Sequence, residues 1–241
     1  MRLSFFVFVT IVIFAFSVSA QTPLTNRAFE KGTQAAQAKQ FETAIENYRR
    51  AILFAETEKT SDDLLAKIHF NIGVCLFNLK QTTKAAEEFT EAIKLSRRTY
   101  QKAFYALGMA QSELKNWEPS ETAFREAVRL KKDDGEAWFD LGLVLIERED
   151  FDRAEIAFQK AIKYESVGAA DAHNNLGVIF ALKADFPAAE NEFKTALTES
   201  NGNSIEARNN LQFCKLYKRN FNQNLLASLK FSKIKRNETT D

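Results

Sequence analysis

An all-α fold built from repeated helix pairs is the fold class that the sequence predicts, and three observations support it. Five glycines recur at intervals of 41, 35, 34 and 35 residues, each followed at fixed spacing by small and aromatic residues. The 241 residues include only 8 glycines and 3 prolines, which is few for an all-β chain with many turns. Hydrophobic residues make up 45% of the chain, which indicates a folded protein with a sizeable core.

The first twenty residues predict a secretory signal peptide. Arg2 precedes an apolar run over residues 5–16, interrupted only by Thr10, and small residues then end at Ala20, before Gln21. A short basic start, a short apolar stretch and small residues at the cut are typical of a cleaved export signal. An uncleaved membrane anchor is the alternative, although a spanning helix needs roughly 20 apolar residues. We expect an exported protein, periplasmic or secreted, that begins at Gln21.

Charge and cysteine content narrow the function further. Arg2 is the only charged residue of the first twenty, so the mature chain has a net charge of zero. A neutral chain argues against nucleic acid as the main ligand, because phosphate binding needs an excess of basic residues. Cys75 and Cys214 occupy equivalent positions four repeats apart. We expect both to be buried and too distant to form a disulfide.

Each repeat is interpreted as two helices joined by a short loop. Its glycine lies on the first helix, and an aromatic residue follows sixteen positions later on the second helix. Small residues at +12 and +19 complete the pattern, and the glycine and the first of them allow the helices to approach closely. The aromatic residue and the second small residue share one face of the second helix. The glycines are Gly32, Gly73, Gly108, Gly142 and Gly177, and the aromatic residues are Tyr48, Phe89, Phe124, Phe158 and Phe193.

These columns resemble the tetratricopeptide repeat, whose period is about 34 residues. The fourth unit matches best, with Trp138 to Gly142 followed by Ala154, Phe158 and Ala161. The resemblance implies a right-handed superhelical solenoid of five helix pairs that binds proteins and is not an enzyme. The predicted units are residues 25–58, 66–99, 101–134, 135–168 and 170–203. The family's usual closing proline is absent from every unit, and the first unit lacks the large residues beside its glycine.

Two segments depart from the regular repeat. Residues 59–65 are an insertion, which we expect to lengthen the second helix of the first unit by two turns. After residue 203 the pattern decays, and 204–236 is predicted to be a capping helix or a degenerate sixth pair, with Leu229 on one apolar helical face. Such a cap covers the apolar face that the last unit of a solenoid leaves exposed. Residues 237–241 are predicted to be a disordered tail.

Catalytic, metal and cofactor motifs are not found, so we predict no enzyme activity, no metal and no cofactor. His69 and His173 occupy equivalent positions three units apart and cannot share a metal, so we expect packed core histidines. A basic cluster that begins at Lys230 is interpreted as a solvated, frayed tail, with an acidic membrane surface as the alternative ligand.

The concave groove that the resemblance implies is the candidate binding site. Residues six and three positions before each glycine, and one after it, fall on one stripe of the first helix, which in this family faces the groove. The stripe carries an aromatic ladder, an apolar floor and a rim that changes from basic to acidic. Its candidate residues are Phe29, Phe70, Tyr105, Phe139 and Asn174, then Val74, Met109 and Leu143, and on the rim Lys67, Lys102, Glu136 and Asp171.

Such a groove suits an amphipathic helix or an extended apolar segment of a partner protein. Two alternatives remain open for the groove itself: the chain's own tail or a second copy fills it, or the aromatic residues only pack between helices. The predicted function is an exported scaffold or adaptor. A pilotin-like assembly factor of the envelope and an accessory subunit for a separate enzyme are the alternatives.

Overall fold

Helices make up nearly all of the described chain, in a computed structural model that describes residues 23–219 and 229–232. Within these residues eleven helices follow one another, with no strand between them. The helices are α1 (Leu24–Gln37), α2 (Phe41–Glu58), α3 (Asp62–Asn78), α4 (Thr82–Leu95), α5 (Gln101–Glu113), α6 (Trp117–Leu130), α7 (Gly135–Glu147), α8 (Phe151–Lys163), α9 (Ala169–Leu182), α10 (Phe186–Glu199) and α11 (Ile205–Arg219). The predicted all-α class is confirmed. The predicted signal peptide and residues 237–241 lie outside the described residues.

The helices pack as five successive pairs, from α1 with α2 to α9 with α10. Each second helix also contacts the first helix of the next pair, and α11 packs against α10 and α9. Because helices contact mainly their neighbours along the chain, the architecture is the predicted solenoid, with α11 as its capping helix.

The turn within each pair has the same backbone conformation. The residue two positions before each second helix is left-handed: Lys39 (φ 58°), Lys80 (59°), Lys115 (59°), Glu149 (58°) and Ala184 (63°). Glycine is the usual residue in this conformation, because a Cβ atom is strained there. Two of the second helices then begin at an aspartate cap, since Asp150 and Asp185 each accept a hydrogen bond of 3.1 Å from a backbone N–H of the first turn.

The repeated glycines make room for the repeated aromatic rings. A Cβ atom on Gly142 would lie 2.6 Å from Cε1 of Phe158, and the other four repeat glycines meet the ring of their own unit at 2.5–2.7 Å. The aromatic residues at this position are almost fully buried, as are the small residues beside them. Ser120, the one serine among those small residues, is buried as well, and its hydroxyl donates to the Gly108 carbonyl at 2.8 Å. The two helices of a unit are therefore close because the glycine of the first helix lies against the aromatic ring of the second.

Two predictions about irregular segments need correction. The insertion after the first unit lengthens two helices, since α2 has 18 residues and α3 has 17, whereas the remaining helices up to α10 have 13 or 14. Leu229 does not lie on a helical face, because residues 229–232 are not helical.

Cys75 and Cys214 are buried free thiols, as predicted. Burial raises the pKa of the Cys75 thiol to about 11. Among the residues that the structure describes, none of the helices has the length and apolar character required to cross a bilayer.

Candidate functional site

The aromatic ladder of the first helices packs onto the buried ring of each unit. Phe29, Phe70 and Tyr105 are half-buried, and their ring centroids lie 5.7, 5.8 and 5.7 Å from those of Tyr48, Phe89 and Phe124. These contacts place part of each ladder residue against the core and leave the remainder accessible. The ladder is therefore partly structural, which the sequence analysis held open as an alternative.

The ladder closes in the fourth and fifth units. Phe139 and Asn174 are both 0% exposed, so these two candidate groove residues are not accessible to a partner in this structure. Val178, one position after the fifth glycine, is also buried, whereas Val74 in the second unit is 36% exposed. The apolar floor thus remains accessible at Val74, and Met109 and Leu143 are half-buried.

The rim is basic at one end, as predicted, but its acidic end has structural partners. Lys67 and Lys102 are exposed. Glu136 instead accepts hydrogen bonds from the hydroxyl of Ser166 at 3.1 Å and from the backbone N–H of Val167 at 2.7 Å. Glu136 therefore ties α7 to the turn that precedes α9, and it does not act as a free rim charge. Asp171 is half-buried.

A segment near the C-terminus occupies the groove at its closed end. Residues 229–232 lie against α9 and α11, and their main chain is held by two asparagines. The side chain of Asn175 donates to the Ser232 carbonyl at 2.9 Å and accepts from the Ser232 N–H at 2.6 Å. Asn210 makes the same pair of bonds with Lys230, donating to its carbonyl at 2.7 Å and accepting from its N–H at 2.9 Å. An amide side chain offers one donor group and one acceptor, which match the C=O and the N–H of a single residue of the main chain.

A third asparagine completes the contact. The amide of Asn174 lies 3.0 Å from both the Lys230 carbonyl and the Ser232 hydroxyl, and its oxygen accepts from Asn210 at 2.8 Å. All three asparagines are 0% exposed, and Ser232 is 3% exposed. The main chain of Lys230, the first residue of the basic cluster, is therefore fixed and not frayed, and the rest of that cluster lies outside the described residues.

The apolar side chains of the same segment point into the core. Leu229 and Phe231 pack against the cluster that contains Val178 and Phe193. Phe231 also packs against the larger cluster that contains Phe139. The segment therefore alternates between apolar contacts and main-chain contacts, which is the pattern of an extended chain.

Sequence reasoning identified Asn174 but missed Asn175, Asn210 and the segment they hold. The signal was an Asn-Asn pair that occurs at residues 174–175 and again at 209–210, in a stretch of otherwise similar residues. Asn175 and Asn210 are equivalent positions on neighbouring first helices. Recurrence of one polar pair on two adjacent units indicates a shared ligand, and here that ligand is the chain itself.

A second concavity of about 830 Å³ opens on the opposite side of α7, between α6 and α8. Trp138, Leu141 and Ile156 are apolar residues of its lining, and Ile156 is 54% exposed. At one end lies the carboxylate of Glu121, 5% exposed, which pairs with three arginines: Arg125, Arg148 and Arg153.

The two histidines each contact a glutamate between the helices of their units. His173 Nδ1 lies 2.6 Å from Glu192 Oε2, and His69 Nδ1 lies 2.7 Å from Glu88 Oε2. Burial opposes the charged form of His173, but the hydrogen bond with Glu192 and the charges of Glu192 and Glu199 raise its pKa. Both histidines are half-buried, whereas the sequence pattern predicts that they are packed in the core. Within the described residues no group of three or more metal-ligating side chains is assembled.

Family models match most of the repeat region. One tetratricopeptide repeat model matches residues 105–166 and 145–204, and a second matches residues 66–98. Together these matches cover more than half of the chain. No curated protein matches it.

Solved structures share the fold at low sequence identity. A crystal structure of MamA is 21% identical, covers 74% of this chain and 92% of its own, and superposes with a TM-score of 0.65. MamA from Desulfovibrio magneticus RS-1, from residue 41 to its end, is 22% identical over 77% of this chain and 100% of its own, with a TM-score of 0.64. YrrB, described as a TPR protein with an unusual peptide-binding site, is 22% identical over 71% of this chain and 84% of its own, with a TM-score of 0.61.

Proposed function

Since the chain belongs to the tetratricopeptide repeat family, we propose that it is a non-enzymatic scaffold whose concave groove binds a segment of a partner protein. The observation that carries the proposal is the grip on residues 229–232. This side of the solenoid holds a polypeptide through two paired asparagine contacts with its main chain. The peptide-binding site named for YrrB supports the same role.

An extended segment is a better ligand for this groove than an amphipathic helix. A helix satisfies its own backbone groups, whereas the N–H and C=O of an extended segment are free to pair with asparagine side chains. The open half of the groove offers Val74 and Met109 as floor, beside the edges of Phe70 and Tyr105. Lys67 and Lys102 at its rim favour an acidic residue within the partner segment.

Capture of partners by matched variants tests this role. Val74→Asp places a charge on the exposed part of the groove floor, and Leu53→Asp does the same on α2, where Leu53 is 63% exposed. Proteins that the parent chain and Leu53→Asp both capture should no longer be captured by Val74→Asp. Both variants add one surface charge, but only Val74→Asp adds it in the groove. Truncation of a residue that anchors a partner commonly costs about 2 kcal/mol or more, so the loss should be at least about thirtyfold in affinity.

The outcome that contradicts the proposal is equally specific. Equal capture of the same proteins by all three chains, with unchanged thermal melting, would place their binding outside the groove.

We propose in addition that this scaffold acts after export. The apolar run over residues 5–16 and the small residues that end at Ala20 support it. The intact mass of the exported protein should correspond to a chain that begins at Gln21. A mass that retains residues 1–20 would indicate the membrane-anchored alternative.

A further inference from the structure

We propose that residues 229–232 are an internal ligand, and that a partner segment of the same pattern enters the closed end of the groove by displacing them. The pattern is apolar, any residue, aromatic, serine, as in Leu229-Lys230-Phe231-Ser232. This inference rests on the proposed function, and it specifies both the class of ligand and its regulation.

The contacts define which features of a ligand matter. At the second position only the main chain is read, by Asn210 and Asn174, while the Lys230 side chain is exposed. The first and third positions, Leu229 and Phe231, place apolar side chains against the core. At the fourth position Asn175 reads the main chain, and Asn174 lies 3.0 Å from the serine hydroxyl.

The asparagines form a site that would be costly to leave empty. All three are fully buried beneath the segment, and a buried amide that loses its hydrogen-bond partners destabilises the folded state. Removal of the segment admits water to these groups but also exposes the apolar surface that Leu229 and Phe231 cover. An incoming peptide that restores the same contacts avoids both penalties, whereas an unrelated peptide does not.

The attachment of the segment to α11 makes it a strong competitor. It is joined to the end of α11 through residues 220–228, and a short connection of this kind gives an effective concentration in the millimolar range. A free peptide of equal intrinsic affinity must therefore compete with its tethered equivalent. Its apparent dissociation constant equals the intrinsic constant divided by the fraction of chains in which the site is open, and we expect at least about a tenfold increase.

Proline substitution releases the segment without altering the site. Lys230 and Ser232 each donate a backbone N–H to an asparagine oxygen, and proline has no N–H to donate. In the full chain that carries both Lys230→Pro and Ser232→Pro, residues 229–232 should leave the closed end of the groove. Lys230→Ala is the matched control, because it removes only an exposed side chain and keeps the main-chain bonds.

The probe is a fluorescent synthetic peptide with the sequence of residues 226–234, titrated against each full chain and followed by anisotropy. The double proline variant should bind it at least about tenfold more tightly than the parent, and Lys230→Ala should match the parent. Asn175→Ala added to the double proline variant should lower the affinity again, which identifies the site. Far-UV circular dichroism should show the same helix content in every chain.

The results that overturn the inference differ from those that overturn the proposed function. Equal binding by the parent and the double proline variant, with Asn175→Ala still weakening it, keeps the groove as a peptide site and refutes the internal ligand. If no chain binds the peptide, the groove is not a peptide site, and the proposed function is contradicted as well. A parent dimer that the double proline variant converts to monomer in sedimentation would place the segment in a second copy and refute its role within one chain.

Discussion

Substitution of Gly142 by alanine tests whether the repeat is built on contact between a glycine and an aromatic ring. Alanine is favoured over glycine in a helix by about 1 kcal/mol, so the change alone should stabilise α7. Its Cβ atom would lie 2.6 Å from Cε1 of Phe158, well inside the roughly 3.5 Å of ordinary carbon contact. The ring cannot swing away, because Phe158 is 0% exposed and packs against Phe139 at a centroid distance of 5.5 Å. Overpacking of this kind costs about 1–3 kcal/mol, so the net effect should be a loss of up to about 2 kcal/mol.

A double-mutant cycle separates the two contributions. Phe158→Leu removes Cε1 and Cζ, the two ring atoms nearest to the added Cβ, so Gly142→Ala should stabilise that background by up to about 1 kcal/mol. The coupling free energy between the two positions should therefore be about 1–3 kcal/mol, measured by urea unfolding of all four chains. Gly135→Ala is the control, since its Cβ would meet the backbone oxygen of Tyr164 at 2.7 Å, and Phe158→Leu does not relieve that contact. The reasoning is refuted if Gly142→Ala changes the unfolding free energy equally in both backgrounds.

Three further predictions follow from the backbone, the thiols and the histidine pair. Lys115→Gly should stabilise the protein by about 1 kcal/mol in urea unfolding, because its φ is 59°, while Lys194→Gly inside α10 should destabilise it by a similar amount. Cys75 and Cys214 should resist a thiol reagent in the native protein at neutral pH and react fully in denaturant, because both are buried and the Cys75 pKa is about 11; rapid native labelling would contradict the packing. The raised pKa of His173 gives stability that is fully present below the unfolded pKa, near 6.5, and is lost as pH rises through the folded pKa. The stability advantage of the parent over His173→Gln should thus be larger near pH 5.5 than near pH 8.5, and an equal advantage at both would exclude the ion pair as its source.

The helix pairs could be predicted from sequence because their contacts have fixed spacing. The contact between Gly142 and Phe158 joins residues sixteen apart, and the short connecting turn makes that spacing the same in every unit. A contact that recurs at constant spacing requires the same residue types at a constant interval, and this periodicity predicts the five helix pairs. The inserted residues are divided between α2 and α3, which the sequence does not predict, because no periodic position marks where a lengthened helix ends.

The exposure of the groove residues could be predicted only where no segment from outside the repeats covers them. The spacing rule treats Phe70 and Phe139 as equivalent, and both do pack against the ring of their own unit. They differ in exposure, because exposure depends on neighbours outside the unit. Residues 229–232 are non-periodic and close the far end of the stripe, where Asn174 is buried.

Contacts between units explain why the decisive asparagines were overlooked. The residue two positions before Gly142 and its equivalent before Gln212 each contact the preceding unit: the Tyr105 hydroxyl donates to Asp140 at 2.8 Å, and Asn210 donates to Asn174 at the same distance. This position was not assigned to the groove, because helical spacing places it about 100° from the ladder residue beside it. Side chains at such an edge pair with the next unit where a hydroxyl is available, as at Tyr105. Where two asparagines meet, as at Asn174 and Asn210, each still has donor or acceptor groups that can bond a third segment of the chain. The grip of this solenoid on the main chain of residues 229–232 therefore depends on which residues adjoin between units, more than on the apolar stripe within them.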